Sequence, residues 1–214
     1  MASTEKSCCF SGHRPFRFSF GYDEENEKCI RLKEELKKEI IRLRHKGVHT
    51  FYTGMAQGVD IWCAQIVLEM KRKEPPAALH LIAVVPYEGQ ADRWSVEYRE
   101  RYFNILSECD DVITLQTHYS QDCFQKRNEY LVRHSGYLIA VCDERKSGTR
   151  STVDYAVKQG LEVAVIHPET FKRDRTPHPV IELFRLCHRF RKLNKDIRPP
   201  AGKVCACPTG FLYT

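Results

Sequence analysis

The 214-residue chain has no stretch of roughly 18 consecutive apolar residues, which is the length that a membrane-spanning helix needs. Residues 1–6 lack the apolar core of a targeting peptide, so we expect a cytoplasmic protein with no membrane partner. Internal repeats and low-complexity tracts are absent as well. What the chain does contain is 42% hydrophobic and 29% charged residues, a composition typical of an ordinary globular protein.

A disulfide framework is also missing, although the chain has ten cysteines. Most of them lie within apolar runs or helical patterns, which favours buried and reduced thiols. Cys205 and Cys207 form the one closely spaced pair in a polar context, and a zinc site there would need two further ligands. The nearest candidates, Cys187 and His188, match no standard zinc spacing, so we expect no metal site.

The net charge of +6 is concentrated at one end of the chain. Residues 168–214 carry 10 Lys+Arg and 4 Asp+Glu, whereas residues 1–167 carry 24 of each. We therefore predict a domain over 1–167 and a basic C-terminal extension over 168–214. Apolar residues spaced along 171–195 predict a helix docked on the domain, and the Pro- and Gly-rich segment 199–208 predicts a loosely held end. A basic surface can also contact nucleic acid, and this alternative stays open.

Short apolar runs alternate with segments of helical periodicity along residues 1–167. Strands are predicted at 7–11, 48–53, 79–85, 111–116, 137–142 and 163–167, and helices at 25–46, 59–73, 94–109, 123–134 and 151–159. Runs that are apolar on both faces are typical of parallel strands covered by helices on both sides. The pattern therefore predicts an α/β fold with a doubly wound, mainly parallel sheet.

Glycine and polar residues are concentrated immediately after four of the predicted strands, at 11–15, 53–60, 86–90 and 143–152. In a doubly wound sheet, ligands bind at the carboxyl ends of the strands, where helix N-termini present free backbone N–H groups. His13 and Arg14 follow the first strand, and the Arg14 guanidinium can form paired hydrogen bonds with a phosphate.

The segment 54–60 has the outline of a phosphate-binding turn, with Gly54 and Gly58 four residues apart and Asp60 at the start of a helix. It matches neither the dinucleotide fingerprint nor the loop of the nucleoside triphosphatases. Equally, the glycines can simply form a tight turn that Asp60 caps. The segment 148–152 offers a second anion site, although Ser and Thr at a helix start are also ordinary caps.

Taken together, the motifs resemble the YpsA/YoqJ-like family, bacterial and phage domains of unknown function in the SLOG superfamily. The resemblance covers residues 7–167. It is carried by Ser-Gly-His-Arg-Pro at 11–15, Gly-Met-Ala-Gln-Gly-Val-Asp at 54–60, Gly-Gln at 89–90, Arg-Asn at 127–128 and Ser-Gly-Thr at 147–149. Relatives in the superfamily include DNA-processing protein A and the lonely-guy phosphoribohydrolases.

The resemblance implies a Rossmann-like fold that binds a nucleotide or a nucleotide-derived ligand at the strand ends. Two departures from the family pattern concern the second turn. Ser147 replaces a glycine, which puts a close phosphate approach in doubt if that position needs a positive φ. Thr152 stands where the phosphoribohydrolases have a catalytic glutamate, so the catalytic residues are unknown, and Asp60 or Glu88 would have to replace that carboxylate.

Our leading hypothesis is a sensor or processing domain for a nucleotide-related small molecule, with no other cofactor identified. The alternatives are single-stranded nucleic-acid binding through the basic extension and hydrolysis of a nucleotide N-glycosidic bond; self-association stays open. The predicted ligand-binding residues are Gly12, His13, Arg14, Gly54, Gly58, Asp60, Gln90, Arg127, Gly148, Thr149 and Thr152.

Overall fold

A computed structural model describes residues 4–73 and 78–176 of the chain. Each predicted apolar run forms a strand: β1 (Ser7–Gly12), β2 (Thr50–Thr53), β3 (His80–Val85), β4 (Asp111–Thr114), β5 (Tyr137–Val141) and β6 (Glu162–Ile166), followed by β7 (Arg173–Arg175). The helices between them are α1 (Glu27–His45), α2 (Val59–Lys71), α3 (Val96–Glu108), α4 (Cys123–Arg133) and α5 (Gly148–Lys158). Short 3₁₀ helices cover Thr4–Lys6 and Pro15–Arg17.

The strands form one sheet in the order β4-β3-β2-β1-β5-β6-β7, in which only β7 runs antiparallel to its neighbour β6. The predicted Rossmann-like, doubly wound and mainly parallel fold is confirmed. β1 lies at the centre, with Cys9 paired to Tyr52 of β2 on one side and to Leu138 of β5 on the other. The chain reverses its direction of winding at the boundary between β1 and β5, which brings the ends of both strands next to each other.

Both faces of the sheet are covered by helices. On one face, Phe10 and Phe51 stack with their ring centroids 5.8 Å apart and pack with buried residues of α1, α2 and α3. On the other face, Cys9 and Leu138 pack against Leu131 of α4 and other buried residues of α4 and α5. The alternation of side chains along β1 explains this division, because successive residues of a strand point to opposite faces.

The edge of the sheet beside β6 differs from the prediction. A helix was expected from residue 171, but Arg173–Arg175 form β7. Arg175 and Arg173 both reach the buried carboxylate of Glu39 in α1, with N···O distances of 2.8 and 3.5 Å. Residues two apart share a side in an extended strand but lie about 200° apart around a helix, so only the strand brings both guanidinium groups to Glu39. The remainder of the predicted helix, the loose end and the Cys205–Cys207 pair lie outside the described residues.

Within residues 4–73 and 78–176, no helix combines the length and the apolar character that crossing a membrane requires. The cysteines of these two ranges are free thiols, and all except Cys109 are buried. Burial raises the pKa of the Cys8 and Cys63 thiols well above their usual value, which keeps both groups in the protonated form.

Candidate functional site

The turn between β2 and α2 is held together by its own polar groups. The Thr53 hydroxyl accepts a hydrogen bond from the Met55 N–H (3.2 Å) and donates one to the Asp60 carbonyl (3.1 Å). Gly58 precedes α2 with a φ of +90°, and a Cβ atom there would lie 2.9 Å from the carbonyl oxygen of His13. This position therefore requires glycine both for its backbone conformation and for its contact with the loop after β1.

Arg127 of α4 packs against the same turn. Its Nη1 donates to the Gly54 carbonyl and lies 3.3 Å from Oδ2 of Asp60, which also accepts from the Ala56 N–H at 3.3 Å. A Cβ atom at Gly54 would overlap the guanidinium group of Arg127. Burial raises the pKa of Asp60 and lowers that of Arg127, while the attraction between the two opposes both changes. The buried carboxylate of Asp60 thus holds the backbone of the turn in place through Ala56 and Arg127.

Asn128, the next residue of α4, connects to the turn before α5. Its Oδ1 accepts from Arg127 Nε (2.8 Å), and its Nδ2 donates to the hydroxyl of Thr152 (2.9 Å), which in turn donates to the Gly148 carbonyl (2.9 Å). Arg127 was predicted as a ligand-binding residue, whereas Asn128 was not. In the structure Arg127 reaches the turn after β2 and Asn128 reaches the turn before α5, so the pair links the two glycine-containing turns.

The start of α5 is capped by Ser147, whose hydroxyl accepts from the Arg150 N–H at 3.1 Å. Ser147 has a φ of −160°, an extended conformation open to any residue, so the serine in place of the family's glycine introduces no strain. Thr149 is buried, whereas Gly148 is exposed and has no atom within 4 Å of the position of a Cβ. Here the backbone is open to solvent on one side.

His13 lies at the adjoining ends of β1 and β5. Its N–H donates to the Val141 carbonyl (3.2 Å), and its buried Nε2 lies 3.5 Å from Oδ1 of Asp143 without a hydrogen-bond partner in the described part of the chain. Burial lowers the pKa of His13, although Asp143 opposes this change. Gly12 precedes His13 and faces the side chain of Val59, so a larger residue there would displace the start of α2.

A cavity of about 530 Å³ opens at the carboxyl ends of β1 to β4. Two predicted residues, Arg14 and Gln90, line this cavity. Gln90 is held by a hydrogen bond from its Nε2 to the Met55 carbonyl (2.6 Å). The other lining residues are Ala56, Tyr87, Gly89, Asp92, Arg93, Trp94, Tyr119 and Phe124.

Aromatic rings form much of the cavity wall. The rings of Tyr87, Tyr119 and Phe124 make edge-on contacts, with centroids 5.6 Å apart for Tyr87 and Tyr119 and 6.2 Å apart for Tyr87 and Phe124. Trp94 packs edge-on against Tyr102 at 5.3 Å and also lines the cavity. Tyr119 is 60% exposed, so the cluster is accessible from solvent.

Among the described residues, the charged side chains that line the cavity have no partner of opposite charge. Arg14 lies over the ring of Phe124, with Cζ 5.1 Å from the centroid. The charged groups of Arg14, Asp92 and Arg93 make no hydrogen bond or ion pair with any residue in the two described ranges. Ion pairs are common elsewhere in the described residues; Arg145, near the end of β5, is paired with Asp143, for example. The unpaired charges and the neighbouring aromatic rings make this cavity the candidate ligand site.

The sequence prediction missed Tyr119, Phe124, Asp92 and Arg93. Tyr119 and Phe124 follow β4, an edge strand of the sheet whose carboxyl end carried no predicted site residue. The same rule that selected the other loops would have found them. Asp92 and Arg93 lie just beyond Gln90, in a loop that turns back toward the cavity.

Comparison with known proteins shows which family the chain belongs to. Residues 8–170 match the family model YpsA, described as the YspA SLOG family. The chain belongs to the YspA SLOG family. A protein of Bacillus cereus named UPF0398 protein is 30% identical over 165 residues, which are 76% of this chain and 88% of that protein. A UPF0398 protein of Bacillus thuringiensis (strain Al Hakam) is 29% identical over the same shares of the two chains.

Two solved structures of DNA processing protein A share the fold of this YspA SLOG family member. The protein from Streptococcus pneumoniae gives a TM-score of 0.51 at 14% identity, covering 88% of this chain and 56% of that chain. The protein from Helicobacter pylori gives a TM-score of 0.52 at 16% identity, covering 91% of this chain and 83% of that chain. The H. pylori protein has a single-stranded DNA binding mode. This chain therefore spans about half the length of the S. pneumoniae protein.

Neither of the two carboxylates named above as replacements for the phosphoribohydrolase glutamate, Asp60 and Glu88, lines the cavity. Asp60 is buried behind the turn after β2, and Glu88 is exposed outside the lining residues. Asp154, close to Thr152 in sequence, is exposed and pairs with Arg150 at 3.3 Å. Among residues 4–73 and 78–176, no group of three or more His, Cys, Asp or Glu residues could hold a metal ion.

Proposed function

We propose that this YspA SLOG domain binds a nucleotide in the cavity at the carboxyl ends of β1 to β4. The observation that carries this proposal is the presence of two guanidinium groups, Arg14 and Arg93, that have no partner of opposite charge in the described part of the chain. They line the cavity together with the rings of Tyr87, Tyr119 and Phe124. A phosphate can accept paired hydrogen bonds from each guanidinium. A base can stack on the aromatic rings.

The size and lining of the cavity support this ligand class. Its volume of about 530 Å³ falls within the range of about 300–1,000 Å³ that is usual for small-molecule sites. Gln90 contributes a buried amide whose Oε1 has no hydrogen-bond partner in the described part of the chain. The combination of apolar walls with a few fixed polar groups is typical of a site that orients one small molecule.

The buried residues of the predicted site support the cavity from behind. Asp60 and Arg127 fix the turn that carries Ala56 and Met55, and the Met55 carbonyl in turn fixes Gln90. Arg127 lies in the same helix as Phe124, so the turn and the aromatic wall share one support. We propose that Gly54, Gly58, Asp60, Arg127 and Thr152 act as positioning residues, whereas Arg14 and Gln90 contact the ligand.

Binding of adenosine 5′-monophosphate (AMP), measured by isothermal titration with adenosine as the phosphate-free comparison, tests the proposal. Arg14→Ala should weaken AMP binding by about tenfold or more, because one charge-assisted hydrogen bond contributes about 1.5–3 kcal/mol. The matched control is Arg17→Ala, in the same loop, where the side chain is exposed and lies outside the cavity lining. Equal binding of AMP by the wild type and by Arg14→Ala would contradict the proposal.

A second candidate is binding of single-stranded nucleic acid across the same strand ends. It is supported by the fold shared with the H. pylori protein, by the exposed rings of Phe16 (66%) and Tyr119 (60%), and by the excess of basic residues in 168–214. An electrostatic contact with a phosphate backbone weakens steeply as salt increases. The affinity for a single nucleotide in the cavity should depend far less on salt, since the protein then neutralises only one phosphate group.

Fluorescence anisotropy with a labelled oligothymidylate at 50 and 200 mM salt separates the two candidates. If the chain tracks a backbone with six or more contacts, the affinity falls by about 10³-fold over that interval. A variant that ends at residue 176 tests whether the basic extension contributes. Loss of oligonucleotide binding in that variant with AMP binding intact would assign the two ligands to separate parts of the chain.

A further inference from the structure

We propose that Asp92 selects the sugar of the bound nucleotide, so that the cavity takes ribonucleotides in preference to 2′-deoxyribonucleotides. The inference rests on the proposed function and names its substrate class more narrowly. It starts from the one acidic residue that lines the cavity. Asp92 is exposed, and its carboxylate has no hydrogen-bond donor and no cationic partner within residues 4–73 and 78–176.

The position of the carboxylate depends on Gly89. A Cβ atom at residue 89 would lie 3.1 Å from Cγ of Asp92, closer still to Oδ2, and 3.5 Å from Cε2 of Tyr87. The Asp92 carboxylate therefore lies directly over the bare backbone of Gly89, beside the edge of the Tyr87 ring. Any larger residue at position 89 would push it away.

The backbone around Asp92 is fixed by successive turns. The Gln90 N–H donates to the Tyr87 carbonyl (3.2 Å), the Asp92 N–H donates to the Gly89 carbonyl (3.2 Å), and the Trp94 N–H donates to the Ala91 carbonyl (3.0 Å). Gln90 is buried and bonded to Met55, and Trp94 is packed against Tyr102. Asp92 thus lies between two anchored residues, which hold its backbone at the cavity although the residue is exposed.

The chemistry of a carboxylate determines which part of a nucleotide it can meet. An ionised carboxylate only accepts hydrogen bonds, so it repels a phosphate and binds groups that carry O–H or N–H donors. The two neighbouring hydroxyls of a ribose are such donors, and an acidic residue binding ribose hydroxyls is a recurrent arrangement in nucleotide-binding α/β folds. With the base on the aromatic rings, the attached sugar comes to the ring edge, where Asp92 lies. The phosphate is then left to Arg14 and Arg93.

The test compares AMP with 2′-deoxy-AMP, and CMP with 2′-deoxy-CMP, by isothermal titration of the full chain. In the wild type each ribonucleotide should bind about tenfold more tightly than its deoxy counterpart, the effect of one charge-assisted hydrogen bond. Asp92→Asn should reduce this ratio to about twofold or less for both bases. Glu88→Gln is the matched control, because Glu88 is an exposed carboxylate of the same loop that does not line the cavity, and it should leave the ratio unchanged.

A second variant, Gly89→Ala, should lower the ratio without changing the charge of the protein, because the added methyl group displaces the Asp92 carboxylate. Equal affinity of the wild type for AMP and 2′-deoxy-AMP would overturn the inference and leave the proposed function standing. So would a loss of affinity in Asp92→Asn for one base only, which would mean that Asp92 contacts the base. If neither nucleotide binds, the proposed function and this inference both fail. Comparing AMP with a short oligoadenylate RNA shows whether the ribose belongs to a free nucleotide or to a strand.

Discussion

Nη1 of Arg127 lies 3.3 Å from Oδ2 of Asp60, and the two side chains are only 6% and 5% exposed. A buried ion pair of this kind is weak support for stability as such, because desolvation offsets most of the attraction. Its geometry nevertheless restricts the fold strongly. Arg127 reaches Asp60 only where Gly54 has no side chain, so a residue of α4, a residue of α2 and a glycine after β2 depend on one another.

Arg127→Met should therefore destabilise the protein by about 3–5 kcal/mol, since it leaves a buried carboxylate without its partner. Urea denaturation at pH 7 measures this change in the free energy of unfolding. The double variant Arg127→Met with Asp60→Asn should recover part of the loss, because it removes the uncompensated charge. A loss of less than about 1 kcal/mol in the single variant would show that the pair has no such role.

Gly58, which precedes α2, and Gly148, the first residue of α5, should differ in their sensitivity to replacement by alanine. Gly58→Ala must place a Cβ at a φ of +90° and 2.9 Å from the His13 carbonyl, so we expect a loss of at least about 1–2 kcal/mol. Gly148→Ala meets no atom within 4 Å and lies in the first turn of α5, so the same substitution should change stability by no more than about 0.5 kcal/mol. Thermal unfolding of the two variants side by side provides the comparison. Equal effects would show that glycine is not specifically required at Gly58.

The ion pairs of Glu24 predict a dependence of stability on pH. Burial raises the pKa of Glu24, but hydrogen bonds from Arg101 (2.6 Å) and Lys33 (2.7 Å) outweigh it and lower the pKa from 4.5 to about 2. The folded state thus binds the proton less tightly than the unfolded chain does. The stabilisation is complete above about pH 4.5 and is lost as the pH falls toward 2.

Glu24→Gln isolates this contribution. The difference in the free energy of unfolding between the wild type and Glu24→Gln should be largest at pH 7 and should shrink as the pH falls from about 5 to 3. Urea titrations at several pH values in this interval measure it. A difference that stays constant with pH would mean that Glu24 has the same pKa in the folded and unfolded states.

Much of the fold could be predicted from the sequence because each apolar run of β1 to β6 is short and flanked by a helical pattern. β7 could not be predicted, since Arg173–Arg175 contain no apolar residue. The ion pair that its arginines make is with the buried carboxylate of Glu39, which is far away in sequence. For the same reason, the sequence gives no sign that Arg127 is buried. Its partners, Gly54 and Asp60, are brought to it only by the sheet.

Of the predicted ligand-binding residues, only Arg14 and Gln90 line the cavity that we propose as the site. The motif at 54–60 suggested a glycine-rich cradle that meets a phosphate directly. In the structure, Gly12, Gly54 and Gly58 face Val59, Arg127 and the His13 carbonyl, so packing within the protein accounts for these glycines. The open cavity lies beside them, where Arg14 and Gln90 meet aromatic residues that carry no recognisable motif.

A crystal structure of the protein with AMP tests the central claim most directly. We predict the nucleotide in the cavity, with its phosphate at Arg14 and Arg93 and its base against Tyr87 and Phe124. The Asp60–Arg127 pair should remain intact behind it. A nucleotide bound instead at the start of α5, beside His13 and Gly148, with the cavity at the ends of β1 to β4 empty, would contradict the account.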